Sequence, residues 1–398
     1  MTERAGSSAE VLRAFLKLGL TSFGGPIAHL GYFRNEFVLR RHWLDEKAYG
    51  DLVSLCQFLP GPASSQVALS IGLVRAGYLG ALAAWAAFTL PSAVALVLFA
   101  YAAVGLKGPA ALGLLHGLKL VAVAIVAQAV WGMARTLCPD PQRALIAVGA
   151  AVIMVLISSP AIQIGVILLG AALGLRLCRG TSATPSPGSL HAPVSRRVGL
   201  AALASFFLLL AGLPLLRPFG PSNSIALVEA CYRSGALVFG GGHVVLPLLR
   251  EGFVGPGWVT DDEFLAGYGA AQAVPGPLFT FAAYLGAIVR PVPHGVLGAA
   301  LGLIGIFLPG VLILLGTLPF WESLRERASA RAAMAGVNAA VVGLLGAALY
   351  NPVWTSSVRT LADLGLAVVG FALLTVWRVA PIVVVVLTAL AGMVLAST

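Results

Sequence analysis

The sequence predicts an all-α polytopic membrane protein: two inverted homologous six-helix repeats joined by one extra transmembrane helix, about thirteen spans. Three observations predict it. First, 59% of the 398 residues are hydrophobic and only 10% are charged, whereas soluble domains are about one quarter charged; a water-soluble globule is excluded. Second, uncharged runs at 77–106, 144–175, 291–321 and 332–358 exceed the roughly 20 apolar residues that carry a helix across a bilayer. Third, the two halves of the chain repeat the same motifs in the same order.

Taken in order, apolar runs bounded by charge predict spans at 10–31, 49–74, 79–104, 111–134, 143–158 and 160–178. The stretch 179–197, rich in Pro, Ser and Thr between arginines, cannot bury enough apolar surface to order itself and reads as an exposed linker. One connecting span at 198–216 follows, then six more at 225–249, 263–289, 294–320, 332–350, 360–377 and 380–396. The expected units are therefore a first repeat (1–178), the linker (179–197), the connecting helix (198–216) and a second repeat (217–398). Residues 1–10 carry Glu3 and Arg4, and no small-residue cleavage pattern follows the first apolar stretch, so no cleaved signal is expected.

The repeats align residue by residue. Phe23-Gly24-Gly25 corresponds to Phe239-Gly240-Gly241 and Arg34 to Arg250 at an offset of 216. Trp43 matches Trp258, and Gln57-x-x-Pro60-Gly61-Pro62 matches Gln272-x-x-Pro275-Gly276-Pro277, at 215. Gly117 matches Gly336 at 219 and Pro160 matches Pro381 at 221. Six spans plus one connector make the second copy enter the membrane from the opposite side. Loop Lys and Arg are more numerous on the N-terminal side, which puts the N-terminus in the cytoplasm and the C-terminus outside. The first loop, with Arg34, Arg40, Arg41 and Lys47, falls on the wrong side of that count.

The formal charge of +10 reflects such loops rather than a nucleic-acid surface. Cys56, Cys138, Cys178 and Cys231 have neither metal spacing nor a secreted disulfide framework, and read as free thiols. No metal site and no cofactor are expected.

Two prolines flanking a glycine remove two amide donors and let the chain turn. A helix therefore breaks at Pro60-Gly61-Pro62 and again at Pro275-Gly276-Pro277. The new helix behind each break offers free N–H groups and hydroxyls at its positive end: Ser64 and Ser65 in the first copy, Thr280 in the second. Broken helices at matching places of inverted halves mark the midplane substrate site of a transporter. Lys17 and Arg233, each six residues before its Phe-Gly-Gly, read as one embedded cation per half, and Glu229 lies one turn from Arg233. Two cations and two helix ends would sum to about +3, suited to a dianion. The glycines at 24–25 and 240–241 allow close approach of a backbone or the ligand. Arg34 and Arg250 would collect anions at opposite mouths. His29 and His243 beside the glycine pairs, and Lys119, which aligns with Asn338 as His116 aligns with Ala335, are coupling candidates.

The string FLKLGLTSFGGPIAHLGYF at 15–33, Trp43-Leu44-Asp45-Glu46, QFLPGP at 57–62 and FGGGHVVLPLL at 239–249 resemble the two-domain form of the chromate ion transporter family across both halves. The resemblance implies a bacterial inner-membrane exporter of chromate, conferring resistance and driven by membrane potential or a proton gradient. It carries over Phe-Gly-Gly at 23–25 and 239–241 and Pro-Gly-Pro at 60–62 and 275–277. Single-half relatives work as pairs, which fits a fused duplication. The copies differ where Gly242 replaces Pro26 and Phe279-Thr280 replaces Ser64-Ser65. Expected partners are chromate or a similar oxyanion, the lipid bilayer and a second copy of the chain. Sulfate or another tetrahedral oxyanion, a passive anion channel and a membrane enzyme acting on a lipid phosphate remain as alternatives; for the last, no nucleophile or metal motif is visible.

Overall fold

The computed structural model describes residues 6–105, 108–157, 159–178, 194–216, 224–239, 242–290 and 294–395, and these contain helices and no β-strand. In the first half α1 is Ser8–Thr21, α2 Gly25–Phe33 continuing through 34–40, α3 Glu46–Phe58, α4 Ala63–Gly105, α5 Pro109–Leu137, α6 Pro141–Leu156 and α7 Pro160–Leu177. Helix α8 is Arg196–Leu216. The second half holds α9 Ser224–Ala236, α10 Val245–Phe253, α11 Asp261–Ala271, α12 Phe281–Ile288, α13 Gly295–Thr317, α14 Trp321–Arg325, α15 Ala328–Ala348, α16 Thr355–Ser357, α17 Leu361–Thr375 and α18 Pro381–Leu395. Equivalent helices are capped at equivalent places: Asp45 accepts from Ala48 N–H ahead of α3, and Thr260 with Glu263 forms a capping box ahead of α11. Most of the linker expected at 179–197 lies outside the described residues, as do Gly240 and Gly241.

The sequence-predicted spans at 10–31, 49–74, 225–249 and 263–289 are not single helices. Each is two short helices meeting at a break. With 14 residues in α1 and 13 in α3, the arms are about 20 Å long at 1.5 Å per residue. Helix α4 reverses at Ala76 (φ −145°, ψ 27°) and Gly77 (φ 65°, ψ −158°), so Gly72 in its first arm (63–75) touches Gly80 in its second (78–105). Glu10 at the start of α1, Arg41 behind α2 and Arg75 at the end of the first α4 arm then meet at one end of the bundle. Arg75 and Arg41 reach Glu10 at 3.3 and 3.8 Å and both lie over Trp43. Two helical hairpins, α1–α2 and α3–α4 first arm, thus start and finish at the same end. In the second half the counterparts close similarly: Arg290 N–H donates to Trp258 O, and Arg290 and Arg250 pair with Glu263 and Asp261.

That second cluster is at the opposite end. The second arm of α4 runs antiparallel to its counterpart α13: Tyr78 and Leu82 lie near Val311 and Leu315, Trp85 packs edge-on to Phe307, and Tyr101 reaches Gly295. The remaining helices exchange partners between halves. Helix α5 packs on α17 and α18, while α15 packs on α6 and α7. Gly117 meets Thr388 and Ala389; Gly336 meets Gly170 and Gly174, and small residues let these backbones touch.

Because a Cβ at residue 336 would overlap the backbone of α7, Gly336→Leu is expected to destabilise the protein by roughly 1–3 kcal/mol or more. Its unfolding midpoint in detergent should fall by several degrees, while Gly346→Leu, on the open side of the same helix, should leave it nearly unchanged.

Candidate functional site

The breaks of all four hairpins converge midway between the two ends. Gly61 N–H donates to Val238 O at 2.8 Å, and Gly276 N–H donates to Ser22 O at 2.9 Å. These two bonds are one bond seen twice, since 61 and 276 are equivalent, as are 22 and 238. Each Pro-Gly-Pro glycine therefore reads the carbonyl just before the Phe-Gly-Gly of the other half. Both glycines are left-handed, at φ 117° and 97°, and both sit against the partner half: Gly61 beside Gly310, Gly276 beside Phe88 O and Ser92. Only glycine suits that backbone and that space. Gly242 approaches Pro26, its own counterpart, so the local two-fold axis passes between them and one ring occupies the gap.

Phe-Gly-Gly, read from sequence as a place of close approach for a backbone or the ligand, is also a break: α1 stops at Thr21 and α2 starts at Gly25. Sequence reasoning also missed Ser22, Thr89 and the part played by the Gln66 side chain. Gln66 Nε2 donates to Pro60 O at 2.9 Å and to Gly310 O at 3.1 Å, tying the first break to α13. His29 Nε2 faces Ser22 O at 3.2 Å and Nδ1 faces Ser64 Oγ at 3.3 Å. A carbonyl only accepts, so Nε2 carries hydrogen and Nδ1 accepts from the Ser64 hydroxyl. Ser22 Oγ, Ser65 Oγ, Thr89 Oγ1 and Gln272 Nε2 are buried here without a hydrogen-bond partner. Such groups are costly unless a ligand or water completes them. In the second half the hydroxyl and imidazole are bonded internally: Phe279 is buried, Thr280 Oγ1 turns back to Pro277 O, and His243 Nδ1 bonds Tyr268 OH at 2.7 Å. Phe23 and Phe239 are half-buried, and Gln57 is exposed on α3.

The charges expected at the site are placed elsewhere. Lys17 is exposed on the outer face of α1 beside Leu16 and Leu20, because Phe15, Leu18 and Gly19 turn inward; it is not the embedded cation expected. Arg233 pairs with buried Glu229 at 2.8 Å, which cancels its charge. The positive character of the breaks thus comes from helix starts, chiefly the first turn of α4 at Ala63–Ser65. Arg34 pairs with Glu46 and Arg250 with Asp261, equivalent bridges that staple successive hairpins together.

A cavity of about 1300 Å³ opens at the end where the second-half hairpins start. Lys119, 143 residues from its partner, bonds Asp262 at 2.8 Å, and His116 Nε2 lies 2.7 Å from Asp363 Oδ1. Tyr284 and Ala266, from the two arms of the α11–α12 hairpin, form part of the wall.

The sequence matches the family model described as Chromate transporter twice, over residues 9–175 and 225–393. The chain belongs to the chromate transporter family. It is 26% identical to the chromate transport protein of Pseudomonas aeruginosa over 96% of this chain and 91% of that protein. It is 28% identical to the probable chromate transport protein of Synechococcus elongatus over 98% and 96%. The chromate transport protein of Cupriavidus metallidurans matches at 25% over 85% and 81%. No solved structure matches. Members of the chromate transporter family are transport proteins rather than enzymes, and the apolar helices of this one fit a multi-pass membrane protein.

For this chromate transporter family member, Gly61→Ala and Gly276→Ala should each lower transport about tenfold or more. A left-handed alanine is strained, and the new methyl group pushes apart the crossed breaks. Gly31→Ala, with open space around it, should transport normally; initial rates in vesicles at matched protein levels check both.

Proposed function

We propose that the protein exports chromate across the bacterial inner membrane by alternating access, with the dianion held between the crossed breaks. The observation that carries this reading is the reciprocal pair of backbone bonds, Gly61 to Val238 and Gly276 to Ser22. It places unwound backbone, a helix start and unpartnered hydroxyl and amide groups at one central point. Irregular backbone at membrane depth is tolerated where it is buried in protein or lines a cavity, and discontinuous helices at a repeat interface are how transporters build substrate sites. The relatives' names supply the ion; the geometry is suited to a tetrahedral oxyanion with several acceptor oxygens.

The proposed topology replaces thirteen spans with nine crossings (the second arm of α4, α5, α6, α7, α8, α13, α15, α17 and α18) and four re-entrant hairpins. The halves 1–178 and 217–398 remain inverted, and the linker shares the face of the N-terminus. This arrangement moves Arg34, Arg40, Arg41 and Lys47 onto that face, with Arg75, Arg135, Arg143, Arg176, Arg196, Arg197, Arg327, Arg331 and Arg378. Opposite them, among the described residues, stand Arg250, Arg290 and Arg359. The positive-inside rule then puts the N-terminus in the cytoplasm without the earlier exception, and the large cavity faces outward.

Two measurements test the proposal. Energised everted vesicles should accumulate labelled chromate, with sulfate competing weakly at equal concentration; no accumulation above vesicles lacking the protein would contradict export. In a variant without native cysteines, an impermeant maleimide applied to intact cells should label Arg290→Cys and not Arg40→Cys. Labelling of both would restore the thirteen-span arrangement.

A further inference from the structure

We propose that His116 and Asp363 are the proton-binding pair of the transport cycle, a step that rests on the transporter reading above. His116 is, among the described residues, the histidine whose ring is closed on a carboxylate, at 2.7 Å. His29 is bonded to Ser22 O and Ser64, and His243 to Tyr268. Asp363 is held rigidly: its Oδ2 accepts Arg359 N–H at 3.0 Å and Thr360 N–H at 2.9 Å, the latter within the capping box of α17. Its side chain is only 5% exposed, while that of His116 is 24% exposed, toward the cavity. The imidazole is therefore the member of the pair that water reaches.

The step is a simple protonation. With Nε2–H donated to Asp363, a proton from cavity water adds to the Nδ1 lone pair and leaves an imidazolium against an ionised carboxylate; no other bond changes. The groups facing the pair set its consequence. Lys119 stands one turn along α5, Asp262 and Glu263 come from α11, Arg290 and His294 from the α12–α13 turn, and Arg359 precedes α17. With neutral imidazoles the three cations Lys119, Arg290 and Arg359 balance the three carboxylates Asp262, Glu263 and Asp363. Protonating His116 tips the cavity positive and favours an anion within it.

Position adds direction. The same turn of α5 ties to α17 through His116 and, through Lys119 and Asp262, to α11, whose far end leads into the Pro-Gly-Pro break of Gly276. The equivalent turn of α15 carries Ala335 and Asn338 and lacks both groups. A pseudo-symmetric substrate site senses no ion gradient of its own; a protonatable clamp at one end lets a proton gradient set the direction.

The test uses the full chain in proteoliposomes and reads two quantities: chromate counterflow at equal pH, which needs only binding and exchange, and chromate flux as the cavity-side pH is lowered from 8 to 6. In the wild type, flux should change about fivefold or more with that pH, the lower end of typical coupling, and counterflow should be present. His116→Ala, the residue found at position 335, should keep counterflow within about twofold and flatten the pH response. Asp363→Asn, which keeps an oxygen for the capping bonds, should flatten it too, and His294→Ala should not. An unchanged pH response in His116→Ala, or in Asp363→Asn should the first variant fail to fold, overturns the pair as the proton site. Absence of counterflow in the wild type overturns instead the transporter reading on which it rests.

Discussion

The structure depends on one constraint: backbone that leaves helical geometry in the middle of a bilayer must find its hydrogen bonds inside the protein. Here each half folds two apolar stretches into hairpins, and the halves complete each other's breaks. Gly61 N–H and Gly276 N–H find the carbonyls of Val238 and Ser22, and neither half can satisfy its own. Two copies, fused or paired, are thus a structural requirement, because a lone copy would leave these groups unpaired at a cost of roughly 2–7 kcal/mol each. It also explains why hairpins of about 20 Å, entering from opposite ends, overlap by enough to touch.

The surrounding helices hold the crossing in register. Exchange of α6–α7 onto α15, and of α17–α18 onto α5, means that the halves cannot part without opening small-residue contacts such as Gly117–Thr388 and Gly336–Gly170. At their own ends the hairpins are stapled to their neighbours by Arg34–Glu46 and Arg250–Asp261. The departures from symmetry fall where function would use them. Hydroxyls cluster behind Pro62, whereas Phe279 stands behind Pro277, and the pairs Lys119–Asp262 and His116–Asp363 line the cavity at the second-half end.

Much of this was legible in the sequence. The repeated motifs and their small drift in offset exposed the duplication, the prolines exposed the breaks at Gly61 and Gly276, and the one-turn spacing of Glu229 and Arg233 announced their pairing. What misled was apolarity. Residues 10–31 and 49–74 have the length and hydropathy of a crossing, and hydropathy does not distinguish one full helix from two arms that turn back halfway. The Phe-Gly-Gly glycines sit in an apolar context where glycine usually serves packing, so their role as a break was hidden. Lys17 aligns with Arg233, yet the helical period through Phe15 and Leu18 turns it outward. Pairs such as Lys119–Asp262 and His116–Asp363 join residues far apart in the chain and follow only from the exchanged packing of the halves.

The most direct test of the central claim is to locate the ion. Crystals of the full chain grown with chromate, measured at the chromium absorption edge, should show an anomalous peak between the four breaks, within reach of Ser65, Gln272 and the first turn of α4. A peak confined to the outer cavity, or hairpins that pass straight through with the Gly61–Val238 and Gly276–Ser22 bonds absent, would contradict the account.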